Sequence, residues 1–131
     1  MDGVGDMGEL RQLSWDEHVH VDGTYLGELV LELGVVAARE VVNDAIGVMG
    51  ADLAAIEAAM AAGRTGDLVL LGDGLSRVAW EVGLTTLSAV AVDLALCAER
   101  GDLAALEAVH ARLRRIGGRS LSAAWDEAAI S

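Results

Sequence analysis

The sequence predicts an all-α protein: an antiparallel up-down-up-down four-helix bundle with a short N-terminal helix and a short C-terminal helix. From Tyr25 onward the chain is dominated by Ala, Leu, Glu and Arg, which favour helices, and it contains no Pro. Its apolar residues recur at helical spacing and show no extended alternation of the kind typical of strands. The predicted helices are joined by only a few residues, which makes sequential helices antiparallel.

Composition divides the chain once. Residues 1–23 are polar, aperiodic and Gly-containing, and we interpret them as a flexible acidic N-terminal tail. Residues 24–131 form the predicted helical domain. This domain opens with a short helix over 25–33, which Gly34 ends.

The clearest periodicity predicts a long helix over Val35–Ala62. Six apolar residues follow one another at alternating spacings of four and three, which places them along one seam: Val42, Ile46, Met49, Leu53, Ile56 and Met60. Gly63 then ends the helix, as Gly commonly does at a helix C-terminus.

Three further long helices are predicted over 67–82, 85–101 and 102–116. Their apolar residues follow the same spacing, and Thr or Asp residues stand at their starts as candidate caps. The pair Gly117-Gly118 is expected to end the last of these helices. Ser120 would then cap the short C-terminal helix around Trp125.

Charge and cysteine content exclude several classes of protein. The formal net charge is −12, and both nucleic acids and anionic membranes would repel such a chain. A single cysteine, Cys97, excludes an intrachain disulfide framework and a Cys-rich zinc site. The N-terminal residues do not resemble a secretory signal. The most apolar stretch, 84–96, is interrupted by Asp93 and is too short to span a membrane. We therefore expect a cytoplasmic protein without a membrane span.

The helix over 67–82 carries polar and aromatic side chains that a core does not need. On a helical wheel, its apolar residues cluster on one side and are predicted to face the core: Leu68, Leu71, Leu75, Val78, Ala79 and Val82. The opposite side, called the Asp73 face, consists of Val69, Asp73, Ser76, Arg77 and Trp80. Trp and Arg are enriched at protein interfaces, so this face is a candidate partner-binding surface.

Two interpretations of the Asp73 face stay open. In the simpler one, Trp80 packs under the N-terminal tail and the other residues form a solvated surface. In the other, a partner docks there, and Gly72 and Gly74, which flank Asp73, let its surface approach closely.

The run from Asp73 to Gly83 resembles the histidine-containing phosphotransfer (HPt) domain of bacterial phosphorelays. That family reads roughly His-x-Leu-Lys-Gly-x-Ala, followed by a further Gly-containing turn. Leu75, Ala79 and the closing Val82-Gly83 match this pattern. The next helix, which ends in Arg100-Gly101-Asp102, has the family's length and ending, and the resemblance covers about residues 25–117.

Three departures from the family's pattern bear on function. The phosphorylatable His of such domains corresponds here to Asp73, the phosphate-assisting Lys to Ser76, and the small Gly that lets a receiver domain dock to Arg77. An HPt domain accepts the phosphoryl group on a neutral imidazole nitrogen, and its partner supplies the Mg²⁺. An Asp side chain is already anionic at pH 7, so the resemblance implies docking without relay of phosphate.

The leading interpretation is therefore a non-catalytic HPt-like signalling module of a two-component phosphorelay. It would dock a receiver domain or a histidine kinase through the Asp73 face. The alternative is a structural or self-associating helical bundle unrelated to phosphorelays, and a homodimer that buries Trp80 would favour it. An enzyme is the weakest interpretation, because the chain lacks a Ser/His/Asp or Cys/His constellation, a Gly-rich phosphate loop and any Lys base. We expect no catalytic residue, no cofactor and no metal.

His110 is interpreted as a packed helix residue, with a relocated phospho-acceptor as the open alternative. Three nearby arginines would favour an anionic adduct: Arg112, Arg114 and Arg115. The same arginines also suit the negative end of a helix that stops at Gly117, which explains them without any ligand.

The segment around His18 and His20 has two histidines flanked by carboxylates. Two His residues at this spacing on a strand face the same side and could hold a divalent metal. No third ligand is fixed in space, so an acidic tail is the preferred interpretation.

Overall fold

A computed structural model describes residues 18–130. Within this range the chain forms five helices and no strands beyond one isolated bridge. The helices are α1 (Gly23–Leu33), α2 (Val35–Ala62), α3 (Thr65–Glu81), α4 (Thr85–Arg100) and α5 (Leu103–Ile130). The all-α prediction is confirmed, and the first four helices begin and end within about two residues of their predicted bounds.

Helices α2 to α5 enclose one apolar core. Helix α2 packs against α3 and α5, and α4 packs against the same two helices, so the four close a ring. The largest fully buried side chains come from all four helices and the turn before α4: Met49, Ile56, Leu68, Leu75, Leu84, Leu87, Val90, Leu94, Leu113 and Ile116. Three of the six residues of the predicted α2 seam, Val42, Met49 and Ile56, are buried, and the other three are half-buried. The up-down-up-down direction of the helices stays a prediction from the short connections.

The two longest helices, α2 and α5, extend beyond the bundle and form a second, smaller core with α1. Each has 28 residues, whereas α3 has 17 and α4 has 16. The second core consists of Leu26, Ala38, Val42 and Ala128, and Arg39 Nε donates a hydrogen bond to the Ala128 carbonyl over 2.8 Å. The predicted short N-terminal helix thus has its own packing partners.

The predicted stop at Gly117-Gly118 is wrong, and with it the separate short C-terminal helix. Helix α5 runs without a break through both glycines and through Ser120, which is buried inside the helix and is not a cap. Gly117 lies close to α2: a Cβ there would lie 3.0 Å from Leu53 Cδ1, so the Leu53 side chain would have to shift to accommodate it. A glycine whose missing side chain allows two helices to approach gives the same sequence signal as one that ends a helix.

Residues 18–22 are extended and lie along the turn between α3 and α4. Val21 forms a bridge with Leu84, and Asp22 N donates to the Gly83 carbonyl over 2.7 Å. His20 N also donates to Thr86 Oγ1 over 2.8 Å. The remainder of the predicted tail, residues 1–17, lies outside the described residues, so the flexible tail over 1–23 stays a prediction.

Helix α2 is long and apolar enough to cross a membrane by length and composition alone, with a mean hydropathy of 1.5 over 18 residues. The sequence analysis did not single out α2, because it looked for a run of apolar residues without any charged one and found the nearest such run at 84–96. A mostly buried core helix passes the same test, whereas only 17% of this window is buried, although α2 supplies Met49 and Ile56 to the core. The absence of a membrane partner stays a prediction.

Candidate functional site

Helix α3 presents one side to the core and the other to solvent, as its apolar period predicts. Leu68, Leu75 and Ala79 are buried, whereas Leu71 and Val78 are half-buried at the edges of the core side. Asp67 stands in the first turn, where a carboxylate favours the positive end of the helix dipole, and forms a 2.9 Å ion pair with Arg64. The core contacts therefore fix which side of α3 points outward.

Three residues of the Asp73 face stand open to solvent. Asp73 and Arg77 are exposed, and Trp80 is 66% exposed. Residues 18–22 leave most of Trp80 uncovered. The simpler interpretation, in which Trp80 packs under the N-terminal tail, concerns mainly residues 1–17, which lie outside the described residues. An indole this exposed leaves a large apolar area in water.

The other two residues of the face are partly engaged by the bundle. Val69 is half-buried and packs against the core. Ser76 lies beside α4: its Oγ is 3.1 Å from Ser88 Oγ, and Ser88 donates to the Ser76 carbonyl over 3.0 Å. Ser76 thus links α3 to α4, and its hydroxyl is already hydrogen-bonded.

Sequence reasoning missed Leu70, which extends the open surface towards the start of α3. Leu70 is 73% exposed and stands three residues before Asp73 and seven before Arg77, so it shares their side of the helix. It also lines a groove of about 380 Å³ with Ala55 and Ala58 of α2. Leu70 and Trp80 lie roughly 15 Å apart along the helix axis, with the charged pair between them. This spacing was available from the sequence.

The two glycines beside Asp73 have different roles, contrary to the expectation for Gly72. Gly72 is buried against α4, where a Cβ would lie 2.9 Å from the Ala91 carbonyl oxygen and 3.1 Å from Ala95 Cβ. Gly74 has nothing within 4 Å of its Cβ position. Only Gly74 therefore lowers the surface beside Asp73, whereas Gly72 lets α3 and α4 approach closely.

A second polar cluster lies between α2 and α5, around Glu57. Glu57 Oε1 is 3.0 Å from His110 Nε2, and Arg114 donates to both carboxylate oxygens at 2.6 and 2.8 Å. A cavity of about 230 Å³ adjoins the cluster, bordered by Leu53 and Gly117 among others. Such a two-pronged contact between a guanidinium and a carboxylate is geometrically specific, so the cluster joins α2 to α5.

This cluster corrects the explanation of the arginines as helix-end charges. Because α5 continues to Ile130, Arg114 lies in its middle and is paired with Glu57. His110 is buried, and its Nε2 is in contact with the carboxylate. That geometry matches the packed-residue interpretation of His110.

We predict that the Glu57 contact stabilises the protein above about pH 4.5 and that this contribution disappears in acid. The hydrogen bonds from Arg114, with the His110 charge adding to them, lower the pKa of Glu57 from 4.5 to about 2. A carboxyl whose pKa is lower in the folded state stabilises when ionised and loses that effect as the pH falls through its folded pKa. Since the side chain is 42% exposed, Glu57→Gln should lower the free energy of unfolding at pH 7 by only about 1 kcal/mol.

Urea denaturation of both chains between pH 7 and pH 2 measures this difference. The matched control is Glu107→Gln, which changes an exposed carboxylate on α5 and should alter the free energy of unfolding by less than about 0.5 kcal/mol. An unchanged gap between wild type and Glu57→Gln at pH 2 would contradict the prediction.

The two N-terminal histidines are both exposed on the extended segment. Across residues 18–130, no group of three or more His, Cys, Asp or Glu side chains is arranged to hold a metal ion. His18 and His20 are not joined by a third ligand in that part of the chain.

The helical bundle described above has the fold of histidine-containing phosphotransfer proteins. A solved structure with this fold is that of histidine-containing phosphotransfer protein B (HptB) from Pseudomonas aeruginosa PAO1. Its TM-score to this chain is 0.77 at 18% sequence identity, covering 86% of this chain and 96% of that one. At this identity the likeness defines the fold. No protein-family model and no curated protein sequence matches the chain.

Proposed function

We propose that this chain is an HPt-like signalling module of a bacterial two-component phosphorelay that docks a partner without relaying phosphate. The partner would be a receiver domain or a histidine kinase in the cytoplasm, and the contact would be the Asp73 face. The exposure of Trp80 carries this proposal, because a large uncovered aromatic ring on a helix of this fold is the kind of residue that dominates binding energy at interfaces.

Two features of the Asp73 face support docking without transfer. The position that the family resemblance equates with the phospho-accepting His holds Asp73, whose carboxylate supplies a permanent negative charge on the open side of α3. Ser76, equated with the phosphate-assisting Lys, is neutral and engaged with Ser88. The face thus keeps an anionic centre and loses both groups that would receive and steady a phosphoryl group.

A second candidate function is self-association through α1 and the first half of α2. Four apolar side chains in this region are well exposed: Leu31 (88%), Val36 (72%), Val48 (50%) and Leu33 (49%). A second copy of the chain could cover them. Such a dimer would leave the Asp73 face open, so it is compatible with docking and separable from it.

The docking proposal is tested by titrating purified receiver domains from the source genome against the chain in a calorimeter. We expect one of them to bind, and Trp80→Ala to weaken that binding at least about tenfold, since an interface Trp commonly contributes more than 1.4 kcal/mol. The matched control is Trp125→Ala. Among residues 18–130, Trp125 is the other exposed Trp; it lies on α5 and is 55% exposed. That variant should bind as the wild type does.

The absence of relay is tested with the same receiver carrying a radiolabelled phosphoryl group. The chain should remain unlabelled after incubation. A stable phospho-adduct on Asp73 or His110 would overturn the non-relaying proposal, and failure of all receiver domains and kinases to bind would overturn docking. A concentration-dependent dimer disrupted by Val36→Glu, with no receiver binding, would instead establish the second candidate.

A further inference from the structure

A cleft beside Trp80 combines two aromatic rings with carboxylates. It has a volume of about 220 Å³ and lies where the start of α1 meets the end of α3 and the turn into α4. Its lining residues are Asp22, Thr24, Tyr25, Glu28, Trp80, Gly83 and Thr85. This volume is below the roughly 300 Å³ typical of small-molecule pockets and is suited to the head of one side chain.

The charge around this cleft is negative. Asp22 and Glu28 line it, and Glu81 is close enough to act on the Tyr25 hydroxyl, whose pKa is raised by burial and by the charges of Glu81 and Glu32. The Asp22 carboxylate accepts a hydrogen bond from Thr24 N over 3.0 Å, which lowers its pKa and keeps it ionised. The lining described above includes no basic side chain, and Arg77, one turn earlier on α3, is not part of it.

The rigidity of the cleft comes from the fold. Tyr25 is half-buried at the first turn of α1, and the Asp22 backbone is tied to Gly83 by the 2.7 Å hydrogen bond. Trp80 projects from the last turn of α3. A preorganised site loses little conformational entropy when it binds.

We infer that this cleft is a binding site for an arginine side chain of a partner polypeptide. A guanidinium is planar and weakly hydrated, so it stacks on aromatic faces while its N–H groups donate to carboxylates. The lining of the cleft includes both aromatic rings and carboxylates. The inference does not depend on the phosphorelay proposal, since any partner that presents an exposed arginine would satisfy it.

The other exposed tryptophan provides a natural comparison. Trp125 borders a cleft of about 230 Å³, which is nearly the same size, but that cleft is lined by Arg39, Asn43 and Ala128. The two sites thus share an exposed indole and differ in the sign of the neighbouring charge. If an exposed Trp alone attracted the ligand, both sites would bind it. If the combination of ring and carboxylate is required, only the Trp80 cleft would.

The experiment is a titration of the full ¹⁵N-labelled chain, followed by amide and indole NMR shifts. The probe is the peptide Gly-Arg-Gly, blocked at both ends, and the control probe replaces Arg by citrulline, which is nearly isosteric and neutral. We expect saturable shifts at the Trp80 indole and the Gly83 amide with the arginine peptide, and at least fivefold weaker binding of the citrulline peptide. Resonances around Trp125 should not move.

Two variants separate the contributions of ring and charge. Trp80→Leu keeps an apolar side chain without the aromatic face, and Glu28→Gln keeps the shape without the charge. Both variants should bind the arginine peptide at least threefold more weakly, as measured from the shift of the Gly83 amide. Equal binding of the two peptides, equal shifts at Trp125, or no saturable shift would overturn the inference. None of these outcomes bears on whether a receiver domain binds, so the two proposals fail separately.

Discussion

Replacing Gly72 by Ala is expected to lower the free energy of unfolding by about 2–3 kcal/mol, although alanine is the better helix former. The new Cβ would lie 2.9 Å from the Ala91 carbonyl oxygen and 3.2 Å from Ala95 N. Both are backbone atoms of α4, so no side-chain rotation relieves the contact and the two helices must separate. Such separation opens gaps in the core around Leu75 and Leu94, which are fully buried.

Urea or thermal denaturation measures this loss, and Gly74→Ala is its matched control. Gly74 lies two residues further along the same helix with open space at its Cβ position. Alanine there should raise the free energy of unfolding by about 0.5–1 kcal/mol, because it restricts the unfolded chain. If the two substitutions changed stability equally, close packing of α3 on α4 at Gly72 would be refuted.

The second large effect is expected for Gly83→Ala, which should lower the free energy of unfolding by about 2 kcal/mol. Gly83 has φ +80°, a conformation that costs an L-residue roughly 1–2 kcal/mol. The added Cβ would also lie 2.6 Å from the Asp22 carbonyl oxygen. The chain can escape this contact only by moving residues 18–22 away, which breaks the Asp22–Gly83 hydrogen bond and the Val21–Leu84 bridge.

Gly101→Ala isolates the backbone part of this effect. Gly101 also has positive φ, at +68°, but nothing lies within 4 Å of its Cβ position. Gly101→Ala should therefore lower the free energy of unfolding by about 1 kcal/mol, through backbone strain alone. Hydrogen exchange at the Asp22 amide gives a second readout: exchange should accelerate in Gly83→Ala and stay as in wild type in Gly101→Ala. Slow exchange at Asp22 in both variants would contradict the proposed anchoring.

These glycines also connect the fold to the two proposed binding surfaces. Gly72 precedes Asp73 directly, so the spacing of α3 and α4 sets how far the Asp73 face stands from the rest of the bundle. Gly83 lines the cleft beside Trp80 and holds Asp22 in place. We therefore expect Gly83→Ala to weaken both the binding of the arginine peptide and the anchoring of residues 18–22.

The sequence alone determined the helical class and the inward sides of the helices. Apolar spacing suffices for this, because one side of each helix must leave water whichever neighbour covers it. The same spacing placed Asp73, Arg77 and Trp80 outward, and the structure agrees. The resemblance to HPt domains likewise rests on residue order, and the bundle has that fold.

Tertiary structure decided whatever depends on which neighbour a side chain meets. The sequence predicts a helix end at Gly117, yet this residue lies inside α5, where the Leu53 side chain is next to the position that a Cβ would take. Glu57 and His110 are 53 residues apart and meet only when α2 packs on α5. The aromatic cleft likewise joins α1 to the end of α3. The local sequence of a segment determines its apolar periodicity and its helix propensity. Contacts between segments that are distant in the sequence form only when the chain folds.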